Sequence, residues 1–141
     1  MSLEIRAFER EDTDCVVALW NRCQLTRPWN DPVKDIARKM AVQPELFLLG
    51  VLNGAIVASI MAGYEGHRAW VNYLAVDPPL RRLGYGRLLM NRVEQLLSAM
   101  GCPKINMQVR ATNTEVLHFY SRLGYRQDEA ISLGKRLIPD D

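Results

Sequence analysis

Apolar and polar positions change period several times along this chain, and each change marks an element. Leu3-Glu4-Ile5-Arg6 alternates like a short strand. Glu11-Asp12-Thr13-Asp14 then supplies acidic residues and caps for a helix start. Val16, Leu19, Trp20 and Cys23 follow at helical spacing, which predicts a first helix to about Leu25. Pro28-Trp29-Asn30-Asp31-Pro32 is a break and a restart. Asp31 can cap a second helix and Pro32 can occupy its first position, where a missing N–H costs nothing. That helix carries Ile36, Ala37 and Met40 and stops before Pro44.

The period then shortens. Leu46 to Leu52 and Ala55 to Met61 are strand-like runs joined by Asn53-Gly54, the preferred pair for a two-residue hairpin turn. Gly63 to Arg68 reads as a second turn, and Ala69 to Val76 as a third antiparallel strand. After Asp77-Pro78-Pro79 a helical stripe follows at Leu89, Val93, Leu96, Leu97 and Met100, closed by Gly101 and Pro103. Lys104 to Val109 is the next strand. Its connection through a helix makes it parallel to the preceding one, by a right-handed crossover. Thr112-Asn113-Thr114-Glu115 matches a capping box, with Glu115 as the partner that reaches back. It opens a helix through Val116, Leu117, Phe119, Tyr120 and Leu123, and Ala130 to Ile138 reads as a last strand. The predicted order is β-α-α-β-β-β-α-β-α-β. This is an α/β (α+β) chain with a mixed, largely antiparallel sheet, one parallel pair and helices on both faces.

Composition narrows the classes. The 141 residues suit one domain spanning 1–141, able to bury a core without disulfides or a structural metal. The net charge of +2 points to no polyanionic partner, so any basic patch is local. Cys15, Cys23 and Cys102 form no Cys-x-x-Cys, and with only His67 and His118 no metal site is expected. Buried inert thiols in a reducing compartment are the reading for the cysteines. No signal peptide or membrane-length apolar run is found, so a cytoplasmic protein with no membrane partner is expected.

One junction concentrates chemistry. The strand ending at Val76, the loop to Leu83 and the helix from about Gly84 form a unit carrying Arg81, Arg82, Arg87 and Arg92. A helix start exposes unpaired N–H groups at the positive end of the dipole, and Gly84 and Gly86 would let a phosphate approach them. The implied ligand bears several phosphates. Position 89 is Leu, so the Gly-x-Gly-x-x-Gly dinucleotide turn is missing, and so is the Gly-Lys-Ser/Thr of a P-loop.

Leu74-Ala75-Val76-Asp77-Pro78, then Arg81-Arg82-Leu83-Gly84-Tyr85-Gly86-Arg87-Leu88-Leu89, resembles the GNAT superfamily of N-acetyltransferases. So do Val109-Arg110-Ala111-Thr112-Asn113 and Phe119-Tyr120-Ser121-Arg122-Leu123-Gly124-Tyr125, and the element order agrees over nearly the whole chain. The middle section, with Pro28 to Pro32 and Gly63 to Arg68, is similar to the YpeA-type bacterial members. The resemblance implies a GNAT-like fold and acetyl-CoA as cosubstrate, without a metal. It implies that backbone groups of Leu74, Ala75 and Val76 pair with the pantetheine arm and polarise the acetyl carbonyl. It implies that N–H groups of Arg82, Leu83, Gly84, Tyr85, Gly86 and Arg87, with Arg81 beside them, hold the pyrophosphate. Asn113 would bond the pantetheine region, and Tyr120 would sit near the sulfur and protonate the departing thiolate.

The base is less defined. Some ribosomal-protein acetyltransferases of the superfamily carry Glu where this chain has Gln108, and an amide cannot take a proton. Glu65, at the turn where the acceptor channel is expected to open, is the substitute candidate, against the reading of a solvated turn carboxylate. His67 and His118 read as surface or half-buried residues. Trp29 reads either as an acceptor contact or as core cover. The expected activity is acetyl transfer to an amine-bearing acceptor: a protein N-terminus, a lysine or a small amine. The alternative is a non-catalytic acyl-CoA-binding sensor. Nucleic-acid binding through the arginines ranks last, because only Tyr85 interleaves an aromatic with them. A homodimer through the last strands is compatible with the resemblance, though no residue specifies it.

Overall fold

Apolar residues at alternate strand positions need cover on both faces of a sheet, and this chain supplies it with two helices per face. The computed structural model describes residues 2–140. In chain order it contains β1 (Glu4–Ala7), α1 (Thr13–Arg22), α2 (Pro32–Met40), β2 (Phe47–Leu52) and β3 (Ala55–Tyr64). Then come β4 (Ala69–Val76), α3 (Tyr85–Ala99), β5 (Ile105–Met107) and α4 (Thr114–Arg122). The sheet order is β1-β2-β3-β4-β5; the first three pairings are antiparallel, and β4 with β5 is the parallel pair.

The local signals explain the boundaries. Asp31 accepts from the N–H groups of Val33 and Lys34 at 2.9 and 3.3 Å, capping α2 with Pro32 at its first position. Asn53 and Gly54 have φ of 53° and 80°, the left-handed pair that a tight hairpin demands. The α4 cap is one residue later than the sequence suggests. Asn113 caps, accepting from Val116 N–H at 3.3 Å, and Glu115 instead lies 3.6 Å from Arg82.

Alternation along the strands divides the core. Leu48, Ala58, Ile60, Ala69 and Val71 face α3 and α4, where they meet Leu89, Met90, Val93, Leu97 and Tyr120. Phe47, Leu49, Met61 and Ala75 face α1 and α2, with Val16, Leu19, Trp20 and Ile36. On β4 the parity inverts. Ala69 and Val71 point to the first cluster, whereas Tyr73 and Ala75, an even number of residues on, belong to the second. The cause is one extra residue. Ser59 pairs with Ala75 and Met61 with Asn72, so Tyr73 and Leu74 together oppose Ile60.

Two expectations are corrected. Residues 130–138 form no strand. β5 is only three residues long, too short an edge to template another strand, and Gly134-Lys135-Arg136 interrupts the apolar alternation. Ile131 and Leu133 stand 89% and 91% exposed there. The cysteines are not all buried thiols: Cys15 is exposed, and Cys23 and Cys102 are half-buried. Among the described residues no helix is long and apolar enough to cross a membrane.

Candidate active site

The first half of the site is made by backbone. Arg82 and Gly84 both lie in the left-handed region, at φ 67° and 87°, and turn the chain into α3. The first helical bond is from Leu88 N–H to the Gly84 carbonyl. Among the described residues, no backbone or side-chain acceptor meets the N–H groups from Arg82 to Arg87. Six consecutive donors at and before the positive end of a 15-residue helix therefore have no partner within the described residues. Arg81 Nε donates to the Val76 carbonyl at 3.2 Å, tying this turn to the end of β4.

The two glycines of the turn do different work. A Cβ at Gly84 would meet nothing within 4 Å, so this glycine serves the left-handed backbone. A Cβ at Gly86 would lie 3.1 Å from Phe119 and 3.7 Å from Val76. Gly86 is buried, and its lack of a side chain lets α4 close on α3 and β4. Packing therefore requires a glycine here, a demand that the sequence reading did not include.

The second half is the gap where β4 and β5 part. Their pairing ends at Val71 with Met107, and β4 runs on to Val76, so the edge of Leu74, Ala75 and Val76 has no β5 partner. Tyr73 lies at that point with φ 51°, a backbone state that the surroundings must enforce. Trp20 Nε1 donates to Ser59 Oγ at 2.9 Å, and Ser59 Oγ donates to the Tyr73 carbonyl at 2.8 Å. The Trp20 and Tyr73 rings stack with centroids 3.8 Å apart. These contacts hold the bulge.

On the α4 side, Tyr120 is 8% exposed, and burial pushes its phenol up to about 12. Its hydroxyl has no hydrogen-bond partner among the described residues, yet it is not a fully enclosed polar atom. The phenol therefore keeps its proton at neutral pH.

The acceptor side was largely hidden in the sequence. Tyr73 hydroxyl donates to Asp35 Oδ2 at 2.7 Å, and Asn30 Nδ2 donates to the same carboxylate and, at 3.1 Å, to the Tyr73 oxygen. Burial first, and then the bond to Asp35, raise the Tyr73 pKa. Arg136 donates to Asn30 Oδ1 at 2.9 Å, so the C-terminal segment closes over this group. Gln108 Nε2 donates to Ser132 Oγ on the same segment. Trp29 is 58% exposed and does not cover the core. The bulge at Tyr73 brings its hydroxyl to Asn30 and Asp35, and no local motif announces a bulge.

The family model for the acetyltransferase (GNAT) family matches residues 6–125. The chain belongs to that family. It is 49% identical over 138 residues to an acetyltransferase of Yersinia pestis (strain Pestoides F), covering 98% of each chain. This GNAT domain also superposes on the ribosomal-protein-S18-alanine N-acetyltransferase from Escherichia coli. The TM-score is 0.75 at 23% identity, over 90% of this chain and 79% of that one. AAC(6')-Iy in complex with the bisubstrate analog CoA-S-monomethyl-acetylneamine gives a TM-score of 0.78 at 16% identity, over 98% and 100%. Both show the fold, and the family carries the general activity, acetyl transfer.

In this GNAT frame Glu65 loses its role as base. Its carboxylate accepts from the N–H groups of His67 and Arg68, which lower its pKa, Arg68 first. It caps the turn beside Tyr64 and Ala69. Five strand residues separate Ala69 from Leu74, about 17 Å at the usual rise. The carboxylate is thus engaged in its own turn, remote from the open end of β4.

Proposed function

We propose that the protein transfers an acetyl group from acetyl-CoA to an amine by direct attack within a ternary complex. The observation that carries this reading is the α3 entry: six N–H donors without acceptors, next to a strand edge that has lost its neighbour. A pyrophosphate fits the first, and the extended, amide-bearing pantetheine arm fits the second, as an added strand would. On that open edge the N–H groups of Leu74 and Val76 serve the coenzyme's carbonyl oxygens, including the one whose charge grows during attack, while Ala75 directs its N–H to β3. Asn113 Oδ1 is committed to its helix, which leaves its amide N–H₂ for the pantetheine region. Phe119 closes on Gly86 at the start of α3, and Tyr120 follows it on α4, packed against the same core cluster as Leu74 and Val76. The Tyr120 O–H protonates the leaving thiolate.

No side chain is assigned as the base. Gln108 offers an amide and Glu65 is remote, so the amine is taken up as the free base or loses its proton to water. This same feature favours a second reading, an acyl-CoA sensor without turnover.

Titration calorimetry with acetyl-CoA, CoA, ATP and NAD tests the coenzyme. Both CoA forms should bind, the nucleotides should not, and Gly84→Asp should abolish binding. Failure of both CoA forms to bind folded protein would refute the proposal. Consumption of acetyl-CoA across an amine panel separates enzyme from sensor. With an accepted amine, Tyr120→Phe should lower kcat about 100-fold or more and leave acetyl-CoA affinity unchanged.

A further inference from the structure

The acceptor side contains a hollow of about 710 Å³. Trp29, Arg38 and Gln108 form one wall, and residues 134–138 of the C-terminal segment form the other. The charged side chains lining it are Arg38, Lys135 and Arg136, and no carboxylate is among them. Asp35 and Asp140 stand behind the guanidinium groups: Arg38 lies 3.1 Å from Asp35 and 2.6 Å from Asp140, and Arg136 lies 3.7 Å from Asp140. Lys135 has no carboxylate partner among the described residues. The two arginines keep 48% and 39% of their side chains exposed.

The protein itself shows what these groups bind. The Asp140 carboxylate, 1% exposed, is held by Arg38, by Arg136 and by Asp31 N–H at 2.7 Å, while Lys34 Nζ donates to the Asp140 main-chain oxygen at 3.0 Å. This clasp fixes the end of a segment that has no strand pairing. It thereby presents Lys135 and Arg136 to the hollow.

We propose that the acceptor is a small amine that also carries a carboxylate, an amino-acid-like molecule. Its carboxylate is received by Lys135 and Arg136, and its apolar part lies on Trp29. The inference rests on the acetyl-transfer reading and adds the class of substrate to it. The charge argument is direct. A polyamine or a lysine-rich peptide meets like charge on this wall, whereas a carboxylate meets the unpartnered point charge of Lys135 and, beside it, the N–H groups that Arg136 does not commit to Asn30 and the Ile138 carbonyl. The same cations disfavour the ammonium form of the bound acceptor and so promote the free base. That offsets the loss of a carboxylate base at position 108. Asp140 is a positioning residue, acting through the segment it anchors.

Binding is read separately from turnover, by the indole N–H resonance of Trp29, assigned with Trp29→Phe. Alanine, leucine and phenylalanine are titrated against their amides, with spermidine as the polycation, in the presence of CoA. The acids should shift the resonance at concentrations about tenfold lower than the amides, the scale of one hydrogen bond to a charged group. Lys135→Ala and Arg136→Ala should each remove most of that preference and leave CoA affinity, measured by calorimetry, unchanged. Asp140→Asn should weaken the acids too. Equal or tighter binding of the amides or spermidine, no response to any of them, or an acid preference that survives both variants would overturn the proposal. Acids that bind as described while no amine consumes acetyl-CoA would leave the carboxylate site standing as a ligand site, and would refute acetyl transfer and with it the acceptor role. Turnover that favours amides or spermidine would do the reverse.

Discussion

The entry to α3 and the acceptor wall are two halves of one site, and the chain builds them in opposite ways. The entry is a short continuous stretch, Arg81 to Arg87, and its working atoms are backbone N–H groups whose direction follows from two left-handed residues. The acceptor wall draws Trp29, Asn30, Asp35, Tyr73, Gln108 and Arg136 from separate segments, and its working atoms are side chains. A backbone site tolerates change in most side chains but not in conformation. A side-chain site depends on whatever holds the segments in register, and here that is the bulge in β4 for Tyr73, Asn30 and Asp35, and the Asp140 contacts for the C-terminal segment. Coenzyme and acceptor functions should therefore fail separately under mutation.

The largest effect is expected beneath the bulge. Trp20 is fully buried, stacks on Tyr73 and donates to Ser59. Trp20→Ala should cost about 3–5 kcal/mol of stability, read by equilibrium denaturation. Ser59→Ala is the sharper probe, since it keeps the packing while leaving the Trp20 N–H and the Tyr73 carbonyl without their partner. It should cost about 1–3 kcal/mol. If the two halves are independent, acetyl-CoA affinity of folded Ser59→Ala protein should match that of the parent while acceptor KM rises. An equal loss of both would show that the bulge also aligns the coenzyme.

Next in size are the two glycines. Gly86→Ala places a Cβ 3.1 Å from Phe119 and should destabilise by about 1–3 kcal/mol through overpacking. Gly84→Ala meets no atom but must hold φ near 87°, which costs about 1 kcal/mol. The ranking separates their roles. Gly84→Ala should lose coenzyme affinity out of proportion to its small change in Tm, because the turn aims the donors. Gly86→Ala should lose mainly Tm. The reverse ranking would mean that the phosphate site depends on α4 packing more than on the turn.

This division also explains what was legible in the sequence. Turn and cap chemistry is local, so Asn53-Gly54, Asp31-Pro32 and the Gly84 turn could each be placed from a few residues. Hydrophobic periods placed the helices and most strands for the same reason. The bulge depends on how Tyr73 and Leu74 oppose a single residue of another strand, and nothing in Ala-Trp-Val-Asn-Tyr-Leu-Ala-Val marks it. With the bulge went the sight of Asp35 and Asn30 beside Tyr73, and Glu65 drew attention because an acceptor channel is expected to open at its turn. The expected last strand failed on the same ground. Strand propensity between Ala130 and Ile138 is real, but a strand also needs an edge, and β5 ends at Met107.

The smallest predicted effect concerns the clasp that holds the acceptor wall together. The Arg38 bond, then the Asp31 N–H bond, lower the Asp140 pKa from the ordinary 3.8 to about 2. A carboxyl group whose folded pKa is depressed binds protons more readily when the segment is released. Its stabilising effect is thus complete above the ordinary value and is lost as pH falls through about 4 toward 2. Around neutrality the segment should be insensitive to pH. Asp140→Asn imitates the protonated form at pH 7, and should lower the backbone order parameters of residues 134–140, read by 15N relaxation, while those across β2, β3 and α3 stay as in the parent. Lowered order throughout the sheet would mean that the clasp supports the whole domain rather than one wall. Unchanged order in the segment would mean that Gln108 with Ser132, and Lys104 with Asp128, hold the wall without it.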